Sequence, residues 1–190
     1  PSSKIKGIFS DEIEDTFRGD TLSASWQWSV FRHVDHKVEN GALILAASPE
    51  QAGAFVGQRI ASADFEATTN ILAVHSDAAA GLALVGDVNN MICASLKNNT
   101  LSLWKLEEGK QTVLAEKKIP PALNVKLRVR FRGAKNVVFS YSTADRFLPL
   151  SPAVDGFFLP PWDRAIRVAL VSNGEQGQHA AFDDFTINHK

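Results

Sequence analysis

The acidic residues are the first side chains in this sequence that could do chemistry. Two carboxylates spaced two residues apart on one β-strand point to the same face, where they could act as nucleophile and general acid in a hydrolase. Glu12 and Glu14 have this spacing, but their acidic run lies at the start of the chain rather than in a central strand. We interpret the run as a solvated edge that could supply one metal ligand. The pairs Glu107–Glu108 and Asp183–Asp184 are adjacent, so their side chains should diverge.

The histidines and the cysteine offer little for catalysis. His33 and His36 lie near Asp35, a combination that could form a metal site or a triad, although solvated loop histidines are far more common. Cys93 is the single cysteine and lies in an apolar run, which favours a buried, inert thiol. A lone cysteine forms neither an internal disulfide nor a cysteine-based zinc site. The sequence also lacks a glycine-rich phosphate loop, so nucleotide binding has no support. Because no carboxylate pair or nucleophile is convincing, a non-catalytic protein is favoured over an enzyme.

Composition excludes several classes of protein. The chain has 190 residues, of which 20 are basic and 21 acidic, with 45% hydrophobic residues. The sequence therefore lacks the excess of basic residues that is typical of nucleic-acid-binding proteins. No apolar run is long enough to span a membrane. The length suits one domain, predicted at residues 9–190 after a lead-in at 1–8. Because the chain begins at Pro1, we expect a processed or excised segment that can lack a leader or a neighbouring domain.

The elements that must position these residues are predicted to be β-strands. About a dozen short segments of β-branched, aromatic or alternating residues are bounded by Gly, Asn, Asp or Pro. In the clearest alternation, Val125, Leu127, Val129 and Phe131 face one way and Lys126, Arg128, Arg130 and Arg132 face the other. This spacing predicts an all-β fold, an antiparallel two-sheet jelly-roll sandwich, with a proline-rich loop over residues 143–163.

Seven local motifs occur in an order that points to a known family. They are FSDEI at 9–13, LSASWQW at 22–28, VENGALIL at 38–45, GQRI at 57–60, DFEATT at 64–69, AGLALVG at 80–86 and AFDDF at 181–185. Together they resemble the concanavalin A-like β-sandwich that follows the catalytic propeller in glycoside hydrolase family 43 β-xylosidases and arabinofuranosidases. The resemblance covers residues 9–187. It departs in an extra stretch at 15–21 and in the absence of the propeller.

The resemblance implies a carbohydrate-related role outside the cell. The favoured function is a non-catalytic carbohydrate-binding or accessory module of a glycoside hydrolase, secreted or periplasmic, that binds an oligo- or polysaccharide on a concave sheet face. Its partners would be the polysaccharide and a glycoside hydrolase catalytic domain, with no nucleic acid and no membrane. Two alternatives remain open, namely a structural or protein-binding sandwich that buttresses a partner domain and a stand-alone glycosidase.

The resemblance also implies a structural calcium ion that joins the first and last strands. Calcium takes six to eight oxygen ligands from carboxylates, carbonyls and water. Asp11 and Asp183 match the family positions, and a backbone carbonyl near Gly41 could complete the site. Asp183 alternates with Phe185, so the pattern places it on the apolar side of its strand, where an unpaired carboxylate is costly. The alternative is an aspartate hydrogen-bonded to loop amides.

Candidate sugar-binding residues combine aromatic rings with planar polar groups. Trp104 alternates with Ser102, which places it on the more polar face of its strand, and Trp162 lies in a Pro-Pro-Trp-Asp loop that could cap a groove or pack under it. Lys126, Arg128, Arg130 and Arg132 form a basic stripe. This stripe is either a solvated face with paired carboxylates or a platform for sugar hydroxyls or uronate carboxylates. One concave surface could be lined by Arg59, Glu66 and Arg128, although the sequence does not pair their strands.

Overall fold

The chain folds as an all-β protein, as the sequence predicts. The structure is a computed structural model that describes residues 12–28, 32–159 and 166–190, and no helix in those ranges is long and apolar enough to cross a membrane. Apart from the short 3-10 helix Ala73–His75, the regular elements are β-strands. They are β1 Glu12–Asp15, β2 His36–Glu39, β3 Ala42–Ala46, β4 Ala54–Arg59, β5 Phe65–Leu72, β6 Ala79–Asp87, β7 Asn90–Lys97, β8 Thr100–Glu107, β9 Lys110–Lys118, β10 Asn124–Arg132, β11 Asn136–Ser142, β12 Leu148–Pro149, β13 Val154–Asp155, β14 Arg167–Asn173 and β15 His179–His189.

The strands form two antiparallel sheets. One has nine strands in the order β12-β11-β10-β5-β15-β3-β2, with β1 added beside β15 and β13 beside β11. The other has six strands in the order β4-β14-β6-β7-β8-β9. Sheets of this size bury one face each against the other, which gives the two-layer sandwich its core.

Tight turns at predicted positions set the strand register. Asn40 and Gly41 both have positive φ, at 54° and 74°, as a two-residue type I′ hairpin turn requires. Asn98 and Asn99 repeat this conformation between β7 and β8, with φ of 49° and 59°. Asparagine and glycine tolerate the left-handed region best, which explains why these dipeptides marked hairpins in the sequence.

The core between the sheets follows the alternation of the strands. On β10, Val125, Leu127 and Val129 are buried, while the basic residues between them point away from the core. The largest fully buried side chains include Phe65, Phe139, Phe182 and Phe185 from β5, β11 and β15. Burying one such side chain contributes about 1.5–3 kcal/mol, so this cluster is a main source of stability.

A second apolar cluster covers the opposite, outer face of the six-stranded sheet. Its members alternate with the core residues along each strand, as Cys93 does with Ile92 and Ala94 on β7. The cluster consists of Ala52, Phe55, Ala83, Val85, Met91, Cys93, Trp104, Leu106, Ala169 and Val171, all of them buried. Small residues predominate beside the two large rings. The outer face of this sheet is therefore closed by its own side chains.

Strand β15 holds the nine-stranded sheet together. It pairs along one edge with β5 and along the other with two different strands, β3 beside residues 179–182 and β1 beside residues 185–188. The register with β5 shifts between Phe182 and Asp184, which is a β-bulge. The bulge lies where β3 ends and β1 begins, and we call this position the β15 seam.

Candidate functional site

The outer face of the nine-stranded sheet is polar and carries two of the predicted ligand-binding residues, Glu66 and Arg128. Glu66 on β5 lies directly opposite Arg130 on β10, and the Arg130 guanidinium binds its carboxylate. Arg128 lies one pair further along, opposite Thr68. The prediction that the basic stripe is a solvated face with paired carboxylates is therefore confirmed for Arg130.

Arg128 has different surroundings. Its guanidinium lies over the ring of Phe147, with 4.1 Å between the guanidinium carbon and the ring centroid. Its Nε is buried and lacks a hydrogen-bond partner. No carboxylate in the described ranges lies within 4.0 Å of its guanidinium nitrogens. Burial lowers the pKa of Arg128 and the charge of Arg130 lowers it further, while Glu66 raises it.

Hydroxyl groups surround Arg128 on the same face. Thr68 and Thr186 share a hydrogen bond of 2.6 Å between their hydroxyl oxygens, across β5 and β15. Ser140 on β11 is the neighbour of Arg128 on the other side. Ser140 is buried, whereas Thr68 and Thr186 are partly exposed. The row of Arg128, Thr68 and Thr186 thus presents one guanidinium beside two threonine hydroxyls, groups that can bind the hydroxyls of a sugar.

A cavity of about 600 Å³ lies at one end of this face and was not predicted. Its floor is formed by the outward side chains of β3, Ala42, Ile44 and Ala46. Lys37 and Glu39, paired at 2.7 Å, lie on one rim, and other lining residues include His75 and His179. The cavity draws on three parts of the chain, at 35–46, 72–75 and 177–179, which explains why no local sequence pattern indicates it.

Trp104 corrects the prediction of an exposed stacking ring. It belongs to the second apolar cluster, is only 5% exposed, and donates its indole Nε1–H to Ser95 Oγ at 3.2 Å. The alternation with Ser102 placed it on the correct side of its strand. That side is nevertheless covered, because Trp104 lies among the small side chains of the neighbouring strands.

Arg59 corrects the prediction of one shared surface with Glu66 and Arg128. It lies on β4, at the edge of the six-stranded sheet, on the outer face with Phe55 and opposite Arg167. Glu66 and Arg128 lie on the outer face of the other sheet. The two pieces of the predicted surface are therefore on opposite sides of the sandwich. Trp162 lies outside the described residues.

The β15 seam brings together two predicted metal ligands. A cavity there of about 380 Å³ is lined by Gly41, Asn70, Asp183 and Asp184, together with Thr16, Arg18 and Lys126. The bulge turns Asp183 to the outer face, which corrects its predicted place on the apolar side with Phe185. It also lets Asp183 and Asp184 converge, where adjacent carboxylates were expected to diverge. Asp11 lies outside the described residues.

The chemistry of the seam suits a hard cation. Asn70 Nδ2 donates to Asp183 Oδ1 at 2.7 Å, while Asn70 Oδ1 is buried without a donor. Burial raises the pKa of Asp184, and the charges of Asp183 and Glu14 raise it further, against the opposing effect of Lys126. Within the described part of the chain, no three acidic, histidine or cysteine side chains are grouped as a metal site. A cation here would therefore need amide and carbonyl oxygens beside the carboxylates.

The remaining candidates for chemistry have structural roles or are exposed. The carboxylate of Asp15 accepts hydrogen bonds from Trp26 Nε1 at 2.7 Å and from the Phe17 amide at 2.8 Å. The His33 imidazole lies 2.8 Å from Asp35, with both side chains about four-fifths exposed, at 84% and 79%. Burial raises the pKa of the Cys93 thiol far above its usual range, in agreement with the prediction of an inert thiol.

The comparisons with known proteins agree with this architecture. The two sheets define a concanavalin A-like β-sandwich. The chain belongs to the family described as the beta xylosidase C-terminal concanavalin A-like domain, which it matches over residues 14–188. No curated protein matches.

Solved structures show the same fold. A xylan beta-1,4-xylosidase from Bacillus halodurans C-125 has a TM-score of 0.77 at 18% identity, covering 93% of this chain and 39% of that one. The GH43 protein BlXynB from Bacillus licheniformis has a TM-score of 0.75 at 22% identity, with the same two coverages, 93% and 39%. SCLam, a non-specific endo-beta-1,3(4)-glucanase of family GH16, has a TM-score of 0.62 at 10% identity over 95% of this chain and 92% of that one. This chain thus spans about two-fifths of the length of the two Bacillus structures.

Proposed function

We propose that this domain is a non-catalytic accessory module of a glycoside hydrolase, and that it binds oligo- or polysaccharide on the outer face of its nine-stranded sheet. The observation that carries the proposal is the row of Arg128, Thr68 and Thr186 across β10, β5 and β15, on the same outer face as the 600 Å³ cavity above β3. The six-stranded sheet offers no comparable surface in its described strands, since its outer face is packed with buried apolar side chains. Polymeric ligands of this kind accord with a secreted or periplasmic protein.

Binding of defined oligosaccharides tests this function. Calorimetric titration with xylo-, arabino- and gluco-oligosaccharides should show binding to at least one series. Thr186→Val removes a central hydroxyl and should weaken that binding several-fold, because one or two hydrogen bonds to the sugar are lost. Thr112→Val makes the same change on exposed β9 of the other sheet and should leave the affinity unchanged. Absence of binding to every series would contradict the proposal.

A buttressing role is the second candidate, and one observation favours it. Phe157 is 80% exposed beside a cavity of about 510 Å³ lined mainly by apolar residues, among them Ile60, Leu159 and Ile166. Exposed apolar surface of this kind marks contacts with another protein or domain. The occupant we favour is a glycoside hydrolase catalytic domain, because this chain spans only 39% of each of the two Bacillus structures, a xylosidase and a GH43 protein. Phe157→Ser would then weaken docking to a separately produced catalytic domain without changing glycan binding.

We also propose a structural calcium ion at the β15 seam. Asp183, Asn70 Oδ1 and the carbonyl of Gly41 would hold it, with Asp11 as a further ligand expected from the sequence. The buried Asn70 oxygen without a donor and the excess of carboxylates at the seam support this fit. The ion would neutralise the carboxylates that crowd the bulge and join β3, β1 and β15.

Thermal unfolding with added calcium tests this proposal. Calcium at about a hundred times its dissociation constant should stabilise the fold by about 2.7 kcal/mol, and a chelator should reverse the shift. Asp183→Asn should diminish the calcium-dependent shift, whereas Asp145→Asn in an exposed loop should retain it. An unfolding temperature that is the same with calcium and with chelator would exclude a structural ion.

A further inference from the structure

The outer face of the nine-stranded sheet contains one positive charge whose environment differs from that of its neighbours. Along β10, Arg130 is bound to Glu66, and Lys126 lies at the seam beside Asp183 and Asp184. Arg128, between them, has no such partner in the described ranges. Of these three cations, Arg128 alone has no carboxylate at ion-pair distance in the described ranges, and Glu66 acts on it only from further away.

The position of Arg128 is fixed although its charge is unpaired. The Phe147 ring covers one face of the guanidinium at 4.1 Å, and the Nε is buried. A stacked, partly desolvated guanidinium loses less conformational entropy on binding than a free surface arginine, and its fork of donors matches a carboxylate. The direction of its pKa shift agrees, because burial and the charge of Arg130 together lower the pKa of Arg128 more than Glu66 raises it.

The groups beside Arg128 indicate what kind of anion would fit. Thr68 and Thr186 supply partly exposed hydroxyls, which can exchange hydrogen bonds with the hydroxyls of a sugar. A carboxylate carried on a sugar ring would meet the guanidinium while its ring hydroxyls meet this row. Glu66 is itself paired with Arg130, which reduces its repulsion of such a ligand.

We propose that Arg128, held by Phe147 and flanked by hydroxyl side chains, binds the carboxylate of a uronic acid residue within an acidic polysaccharide. This inference rests on the proposed carbohydrate-binding function and narrows its ligand class. Charge-assisted, two-pronged hydrogen bonds are about twice as strong as neutral ones, so the acidic sugar is bound in preference to its neutral counterpart.

The test compares ligands that differ only in the carboxylate. The probes are xylo-oligosaccharides carrying one glucuronic acid, the same oligosaccharides after reduction of the carboxyl group to an alcohol, and oligogalacturonides. By calorimetry at low salt, at least one acidic probe should bind about tenfold more tightly than the reduced probe. The preference should decrease when the salt is raised towards 0.5 M, because the site is partly exposed.

Single substitutions test whether the preference for the acidic oligosaccharide depends on Arg128. Arg128→Gln should abolish the difference between acidic and reduced probes, and Arg128→Lys should retain only part of it, since lysine keeps the charge without the fork. Arg59→Gln removes one positive charge from the other sheet and should keep the full preference. Circular dichroism melting of each variant ensures that a folded protein is compared.

The outcomes separate the inference from the function on which it rests. Equal binding of the acidic and reduced oligosaccharides would overturn the uronate site and leave the carbohydrate-binding function standing. Absence of binding to all oligosaccharides, acidic and neutral, would overturn both. Equally tight binding of a polyglutamate peptide would overturn the uronate assignment in favour of a general carboxylate site. If Arg59→Gln lost the preference as fully as Arg128→Gln, the preference would reflect the overall charge of the domain, and the assignment to Arg128 would be overturned.

Discussion

Truncation of Trp104 to alanine distinguishes a packed tryptophan from a sugar-stacking one. Trp104 is 5% exposed, so nearly all of its side-chain surface is removed from water on folding. A buried tryptophan covers about 150–250 Å², which at about 25 cal/mol per Å² corresponds to about 4–6 kcal/mol. Measured losses for such truncations are about 3–5 kcal/mol. We therefore expect Trp104→Ala to lower the free energy of unfolding by about 4 kcal/mol.

Urea and thermal unfolding followed by far-ultraviolet circular dichroism measure this loss. For a chain of this size, about 4 kcal/mol corresponds to a fall in the unfolding temperature of about 8–16 °C. Trp28→Ala is the matched control, because Trp28 is 42% exposed and contacts His36 with 5.7 Å between ring centroids. That substitution should cost about 1 kcal/mol.

The affinity of the Trp104→Ala variant for oligosaccharides shows whether the ring also contacts a ligand. At a temperature where the Trp104→Ala variant is folded, its affinity for oligosaccharides should match that of the wild type, because the ring contacts Cys93 and its neighbours rather than ligand. A variant with unchanged stability and lost glycan binding would refute the reasoning.

Three further predictions follow from the packing. Gly81→Ala would place a Cβ 2.7 Å from Cys93 Sγ, so it should destabilise the fold by about 1–3 kcal/mol in urea unfolding, and Cys93→Ala added to it should recover part of that loss. Cys93 should remain unreactive towards a thiol reagent at neutral and mildly alkaline pH and react fully in denaturant, whereas rapid reaction of the native protein would contradict its burial. Glu66→Gln should change the unfolding free energy by about 1 kcal/mol or less, with the difference smaller still in high salt, because its pair with Arg130 is partly exposed.

The strands could be predicted closely because their signals are local. The alternation from Val125 to Arg132 required only the two-residue period of a strand, and the turn at Asn40–Gly41 required only residues that accept positive φ. Both features recur in the structure at the predicted positions. The spacing of the strands predicted the two-sheet architecture, and the resemblance to the family specified its concanavalin A-like type.

The candidate site was less predictable because it depends on contacts between distant segments. Alternation showed which side of β8 carries Trp104, but the cover on that side comes from other strands. The bulge at Asp183 reverses the alternation of β15, and nothing in its local sequence marks the extra residue. The order of the strands places Arg59 and Arg128 on opposite sides of the sandwich, and strand order is not encoded in either strand alone.

The pairing of β15 has a consequence for how the chain acquires its structure. Among the described strands, β1 pairs with β15 alone, and β3 and β5 each have one edge that β15 covers. These edges stay open until the last strand has been synthesised, although β3 can already pair with β2 and β5 with β10. Contacts between such distant segments slow folding, because the loops between them must close first. The nine-stranded sheet should therefore assemble after translation of the domain, with exposed strand edges that a chaperone could protect in the meantime.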